Sequence, residues 1–158
     1  MKTEIMIDSF SIDEKNIEVK IYEAPEKLTP NQIKWLDRYI LLSNDSVQCV
    51  EESLSECTVI EWDTGWTSYT VDLIYGERIL FVWNLYSHND DKNVDGLRLG
   101  KGGEAFKMIR EIAKRNDCKI IEFYSNRDPE KWMNTIKNAH KDEYKKCYIY
   151  QYLLRIEI

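Results

Sequence analysis

A chain of 158 residues with 43% hydrophobic and 32% charged side chains has the composition of an ordinary globular protein, long enough for one sizeable core. Its net charge of −6 excludes nucleic-acid binding through a broad cationic face, while leaving room for a basic protein partner or a local anion site. Acids in the opening Met1–Asp8, no long apolar run, and four cysteines without CxxC spacing predict an intracellular protein with reduced thiols, no structural zinc and no membrane segment.

In chain order, residues 1–16 read as a peripheral strand or a loose arm, with Ile5, Ile7, Phe10 and Ile12 partly alternating. Ile17, Val19 and Ile21 alternate cleanly and predict a strand that Pro25 ends. Thr29 and Pro30 are a helix start, and Ile33, Leu36, Ile40 and Leu41 are the expected inward face through Leu42. Ser46–Glu56 predicts a second, short helix. Three strands follow as an antiparallel meander, Cys57–Trp62, Thr67–Tyr75 and Ile79–Tyr86, with turns at Asp63–Trp66 and Gly76–Glu77. A polar loop, Ser87–Asp95, leads into a glycine-rich stretch. Glu104–Arg115 carries Ala105, Phe106, Ile109, Ile112 and Ala113 on one helical face. Lys119–Tyr124 is a buried strand reached by a parallel crossover, Asp128–Pro129 opens a further helix, and Glu143–Ile158 holds one bent strand or two. The predicted class is a single α+β domain.

Gly96–Gly103 contains four of the chain's six glycines and one lysine, between a predicted strand and a helix start. That arrangement can cradle phosphate on free backbone amides, and it equally describes a plain connector. Asp91–Gly96 also matches the opening of a calcium loop, with oxygen donors at positions one, three and five and glycine at six. Position twelve is Gly102 rather than a glutamate, which favours a turn and no metal. Asp72, Glu77 and Glu122 lack the Glu-x-Lys pattern of nuclease chemistry, and no glycine elbow surrounds a serine or cysteine.

The order strand, two helices, meander, glycine loop, helix, strand, helix, terminal strands resembles the GNAT acyltransferase superfamily. As topology the likeness covers nearly the whole chain, and as sequence it runs from Arg98 to about Tyr144. It implies a mixed, mostly antiparallel sheet flanked by about four helices. It also implies acyl-coenzyme A-dependent N-acyl transfer, with acetyl-CoA as cofactor and an amine or protein as acceptor. In that family a basic residue and glycines hold the cofactor's pyrophosphate at a helix N-terminus. Arg98, Gly100, Lys101, Gly102 and Gly103 stand there in this chain, and Asn126 joins the implied cofactor contacts. An amide among Asn84, Leu85 and Tyr86 would meet the acyl carbonyl. Candidate bases are Glu122, Glu61 and His88, with Tyr144 nearest to the family's general acid and Tyr124 and Ser125 lining the acyl pocket.

Asn126 and Trp132 are similar to the phage-encoded branch, which implies a viral protein in the cytoplasm of an infected host or associated with a virion. Two positions depart from the family pattern: Leu99 stands where a basic residue is usual and Glu104 where a small one is. A carboxylate at a helix N-terminus competes with pyrophosphate for the same amides. The second function carried forward is therefore a noncatalytic GNAT-like binding protein, such as a viral factor that engages a host protein. Its support is the acidic charge and the rings Trp62, Trp66, Tyr69 and Tyr75, which either anchor an interface or pack beneath the first two helices.

Overall fold

The computed structural model describes residues 5–90, 103–124, 129–150 and 153–158. A hairpin of β1 (Ile5–Ile12) and β2 (Lys15–Glu23) leads to helices α1 (Pro30–Ser43) and α2 (Val47–Ser53). The meander β3 (Thr58–Trp62), β4 (Gly65–Ile74) and β5 (Glu77–Ser87) follows, then α3 (Glu104–Arg115), β6 (Ile120–Tyr124), α4 (Pro129–Ala139), β7 (Lys146–Tyr150) and β8 (Leu153–Glu157). All eight strands form one sheet in the order β1-β2-β3-β4-β5-β6-β8-β7. Among the described strands the β5–β6 pairing is parallel and the others are antiparallel. The class is α+β, as predicted, and the sheet is larger than the GNAT-like arrangement expected from sequence.

The enlargement begins at the N-terminus. Of the two readings for the N-terminal residues, a peripheral strand and a loose arm, the strand holds: β1 pairs with β2 from Ile5↔Tyr22 to Ile12↔Lys15 at the edge of the sheet. Phe10 anchors it, 2% exposed, with the Arg115 guanidinium 4.3 Å from its ring centre. Arg115 also donates to Asp8 at 3.3 Å and to the Ser9 carbonyl at 3.1 Å, while the Ser9 amide bonds Asp8 Oδ1 at 2.7 Å. At Ser9 the strand is thus hydrogen-bonded by side chains.

Helix α1 keeps half of its predicted face, with Leu36 and Ile40 partly buried against the core, and departs from the rest. Ile33 and Leu41 are largely exposed, and Gln32, Tyr39 and Leu42 are buried instead. A non-helical residue, Trp35 (φ −116°, ψ 15°), breaks the helical phase that the apolar spacing assumed. Polar groups take up the buried face. Gln32 Oε1 accepts from the Thr29 amide at 2.9 Å, and Glu61 Oε2 accepts from the Asn31 amide at 2.6 Å. Tyr39 donates to Asp45 at 2.9 Å.

Helix α2 is shorter than expected, because Ser53 Oγ turns back to the Val50 carbonyl and the chain tightens into short-range turns through Cys57. Strand β4 starts two residues early, making Asp63–Thr64 the turn. The second turn is Tyr75–Gly76, closed by Ile74↔Glu77, with both residues at positive φ (50° and 79°). The terminal region resolves into two strands rather than one bent strand.

Hydrophobic clusters lie on both faces of the sheet. Leu80, Val82, Ile121, Phe123, Leu154 and Ile156 meet the predicted face of α3, all five of whose named residues are buried together with Met108. On the other face Trp66 and Tyr86 pack against Tyr39, Leu42 and Val50. Burying one such aliphatic side chain contributes about 1.5–3 kcal/mol. Of the four rings noted in sequence, Trp62, Trp66 and Tyr69 are buried, and Tyr75 stands fully exposed at the hairpin tip. The four cysteines are free thiols, three of them buried. Among the described residues no helix is long and apolar enough to cross a membrane.

Gly65 tolerates no side chain. A Cβ there would collide with the Tyr86 carbonyl oxygen and the Trp62 indole. Gly65→Ala is expected to destabilise the fold by about 1–3 kcal/mol, as overpacking does. Its urea midpoint against that of the wild type is the measurement; an unchanged midpoint contradicts the packing described here.

Candidate functional site

The chain between β5 and α3 brings polar side chains from four segments to one helix end. Gly103 is the N-cap of α3 (φ −38°, ψ 87°), and Glu104 is the first helical residue. A helix start offers unpaired amides and a partial positive charge. Here two of those amides are held by Asp90, which is buried: Oδ1 accepts from the Glu104 amide at 3.0 Å and Oδ2 from the Ala105 amide at 2.8 Å. The Asp90 amide in turn bonds the Ser87 carbonyl at 3.1 Å, which fixes the carboxylate at the end of β5. Burial pushes the Asp90 carboxyl above its ordinary value; the two amides oppose that shift, and the charge of Glu104 adds to it.

Glu104 turns away from the helix axis into a cage of donors. Its Oε2 accepts from Trp62 Nε1 at 3.1 Å, Thr64 Oγ1 at 2.7 Å and Ser87 Oγ at 2.7 Å. Its Oε1 accepts from Asn89 Nδ2 at 3.2 Å. Two carboxylates therefore stand at the helix end where the glycine pattern allowed either an anion cradle or a plain connector. An incoming anion meets like charge and amides already bonded.

Around the end of β5 a second group forms. Tyr86 Oη lies 3.2 Å from His88 Nδ1, and the His88 ring stacks on Trp35, with centroids 5.7 Å apart and planes 16° from parallel. The Lys34 ammonium lies 4.6 Å from the Trp35 ring. Behind them Asn84 Nδ2 donates to Tyr39 Oη at 3.1 Å, Ser68 Oγ bonds Asn84 Oδ1, and Thr67 Oγ1 donates to the Asn84 carbonyl at 2.7 Å. Burial, and then the neighbouring Asp45 carboxylate, push the Tyr39 hydroxyl well up. This network ties α1 to the β4–β5 pair.

Strand β5 also bulges. Its register with β4 slips between Ser68↔Asn84 and Tyr69↔Val82, leaving Trp83 as the extra residue. On its other side β5 pairs with β6 only at Ile79, Leu80 and Phe81. Beyond Phe81 the two parallel strands share no paired residues among those described.

The residues singled out from sequence scatter across this frame. Glu122 lies opposite Phe81, with the Nε of Arg155 3.4 Å from its carboxylate. Desolvation raises its pKa, Arg155 lowers it, and Asp72 raises it. His88 is seven residues farther along the β5 line, roughly 20 Å at strand spacing. Glu122 and His88 cannot serve one reacting atom. His88 is the candidate beside Asn84–Tyr86.

Tyr144 is half-buried against the core just ahead of β7, whose first residue shares the Glu157–Ile120–Ile79 row. That places it near the opposite end of the sheet from His88. Glu61 is engaged as a cap, accepting from Asn31 and from Tyr22 Oη at 3.3 Å. Burial and that carboxylate push Tyr22 up to about 12. Leu85 is in the core, Tyr86 is fully buried, and Tyr124 is exposed. Gly103 is in place as the N-cap. Arg98, Gly100, Lys101, Gly102, Ser125, Asn126 and the Asp91–Asp95 loop lie outside the described residues.

Asp90, Thr64, Ser87 and Asn89 were not singled out from sequence. They are ordinary turn residues there, and only tertiary structure brings Trp62 and Thr64 to a glutamate about forty positions later. Compared with known proteins, the chain matches no family model and no curated sequence.

The raised Asp90 pKa has a signed consequence for stability. Its folded value lies above the unfolded one near 3.8, so the stability linked to this proton is whole below that pH and is lost as pH rises through the folded value. Asp90→Asn removes this titration. Urea melts of both proteins from acid to neutral pH are expected to show the stability difference moving in the variant's favour as pH rises. A difference independent of pH contradicts the assignment.

Proposed function

We propose that this chain is a noncatalytic binding protein on a GNAT-like fold, acting through a macromolecular partner and not through acyl-coenzyme A. The likeness in fold is supported by the chain order: strand, two helices, meander, helix, strand, helix and terminal strand pair, with β1 added at the edge. The observation that carries the functional reading is the grip of the Asp90 carboxylate on the Glu104 and Ala105 amides. In the resemblance, a pyrophosphate is held by amides at this helix end. The described residues there do not fit such a group, because the Asp90 carboxyl already holds the Glu104 and Ala105 amides and the Glu104 carboxyl stands beside them. An acidic chain with exposed aromatic and aliphatic side chains fits a basic protein partner better than a phosphate-bearing cofactor.

One observation favours the other reading, an acetyl-CoA-dependent N-acyltransferase. Among the described residues β5 and β6 share no pairing beyond Phe81, and His88, held by Tyr86 and Trp35, follows Asn84–Tyr86 in the chain.

Acetyl-CoA titration followed by thermal unfolding separates the two. A ligand present at a hundred times its Kd stabilises by about 2.7 kcal/mol, or about 5–10 °C for a chain of this size. We expect no shift with millimolar acetyl-CoA. A rise of that order, abolished by Lys101→Glu, would overturn the noncatalytic reading.

A further inference from the structure

Strand β4 is longer than the neighbour that covers it. It pairs with β5 along its whole length, from Gly65↔Ser87 to Ile74↔Glu77. Its pairing with β3 stops at Thr58↔Tyr69. Thr70–Ile74 therefore has a strand on one side only among the described residues, an open edge of roughly 17 Å. An uncovered edge of this kind presents backbone donors and acceptors to any extended chain that reaches it.

A groove of about 700 Å³ runs beside that edge, between the sheet and the C-terminal end of α3. Ile21, Ile60 and Val71 contribute its apolar floor, Ile21 and Val71 being only partly buried. Glu23 and Glu56 stand at its margin, both exposed and neither in a described ion pair. The cation at the groove, Arg115, is held by Asp8 and Glu111 at 3.3 and 3.2 Å.

We infer that this groove is a docking site for a basic, extended segment of a partner protein, which adds as a strand to the Thr70–Ile74 edge. The backbone edge selects an extended peptide, the partly open floor selects alternating apolar side chains, and Glu23 and Glu56 select cations between them. The inference deepens the binding-protein reading and rests on it. It uses none of the residues around Asp90 and Glu104, so the two can fail separately.

The test uses a synthetic peptide of alternating valine and lysine, its glutamate-for-lysine counterpart, and a form N-methylated at alternate residues. Fluorescence anisotropy gives affinity, and amide hydrogen exchange locates the site. Binding of the lysine peptide is expected to slow exchange at Thr70–Ile74. Glu23→Lys/Glu56→Lys is expected to weaken it about tenfold, from two lost short-range charge contacts. Glu14→Lys/Glu51→Lys, equal in net charge and away from the groove, should leave affinity unchanged. The N-methylated and glutamate peptides should not bind.

Equal losses in both double variants would reduce the effect to net charge and overturn the proposal. So would undiminished binding of the N-methylated peptide, or no binding of the lysine peptide at millimolar concentration. Slowing of the same amides by protein concentration alone assigns the edge to a second copy and also overturns it. Acetyl-CoA binding with the peptide result intact defeats the noncatalytic reading and leaves the groove.

Discussion

One carboxylate, Asp90, decides how the two halves of this molecule meet. The single parallel step in the sheet runs from β5 to β6 through α3, and a parallel crossover has no tight turn to define it. The start of its helix must be located by something else. Asp90 does this by bonding the first two amides of α3 while its own amide returns to Ser87. Glu104 completes the joint by reaching Trp62 and Thr64, so the β3–β4 turn, the end of β5 and the start of α3 become one unit. Every buried residue of α3 that packs on Leu80, Ile121 and Leu154 depends on that start being where it is.

The same joint explains why a motif reading and a structural reading diverge. A glycine-rich stretch ahead of an amphipathic helix is a fair sign of an anion site when the helix end is empty. Here a short-range acid fills it first. Glycine spacing reports what the backbone can do, while occupancy of the amides depends on side chains that fold in from elsewhere. Trp62 and Thr64 carry no pattern that a local reading could detect.

Where local periodicity dominates, the chain was legible. The meander, the α3 face and the terminal strands follow from alternation and helical spacing, and Ala105, Phe106, Ile109, Ile112 and Ala113 are all buried. The departures have separate causes. In α1 the apolar residues Ile33 and Leu41 face outward, because Trp35 breaks the helical phase and Gln32 and Tyr39 are buried with hydrogen-bond partners for Gln32 Oε1 and the Tyr39 hydroxyl. At the N-terminus the weak alternation of residues 5–12 left strand and loose arm both open, and pairing with β2 and the seating of Phe10 under Arg115 decide for the strand. Glu61 looked available for chemistry and is committed to the first turn of α1. The bonds from Asn31 to Glu61 and from Asn84 to Tyr39 tie α1 to distant strands, and the first of them fixes the role of Glu61.

The Arg115 contact at β1 bears on how the molecule behaves in a crowded solution. A sheet that ends in an uncapped strand invites unlimited stacking of identical copies, the first step toward fibrils. The guanidinium on the Ser9 carbonyl and the Asp8 carboxylate on the Ser9 amide interrupt that row of free groups at its middle. A second sheet could join there only by stripping off a cation already balanced by carboxylates and seated on an aromatic ring. The fold thus carries its own brake on end-to-end polymerisation, set by one arginine on a helix that the strand itself helps to bury.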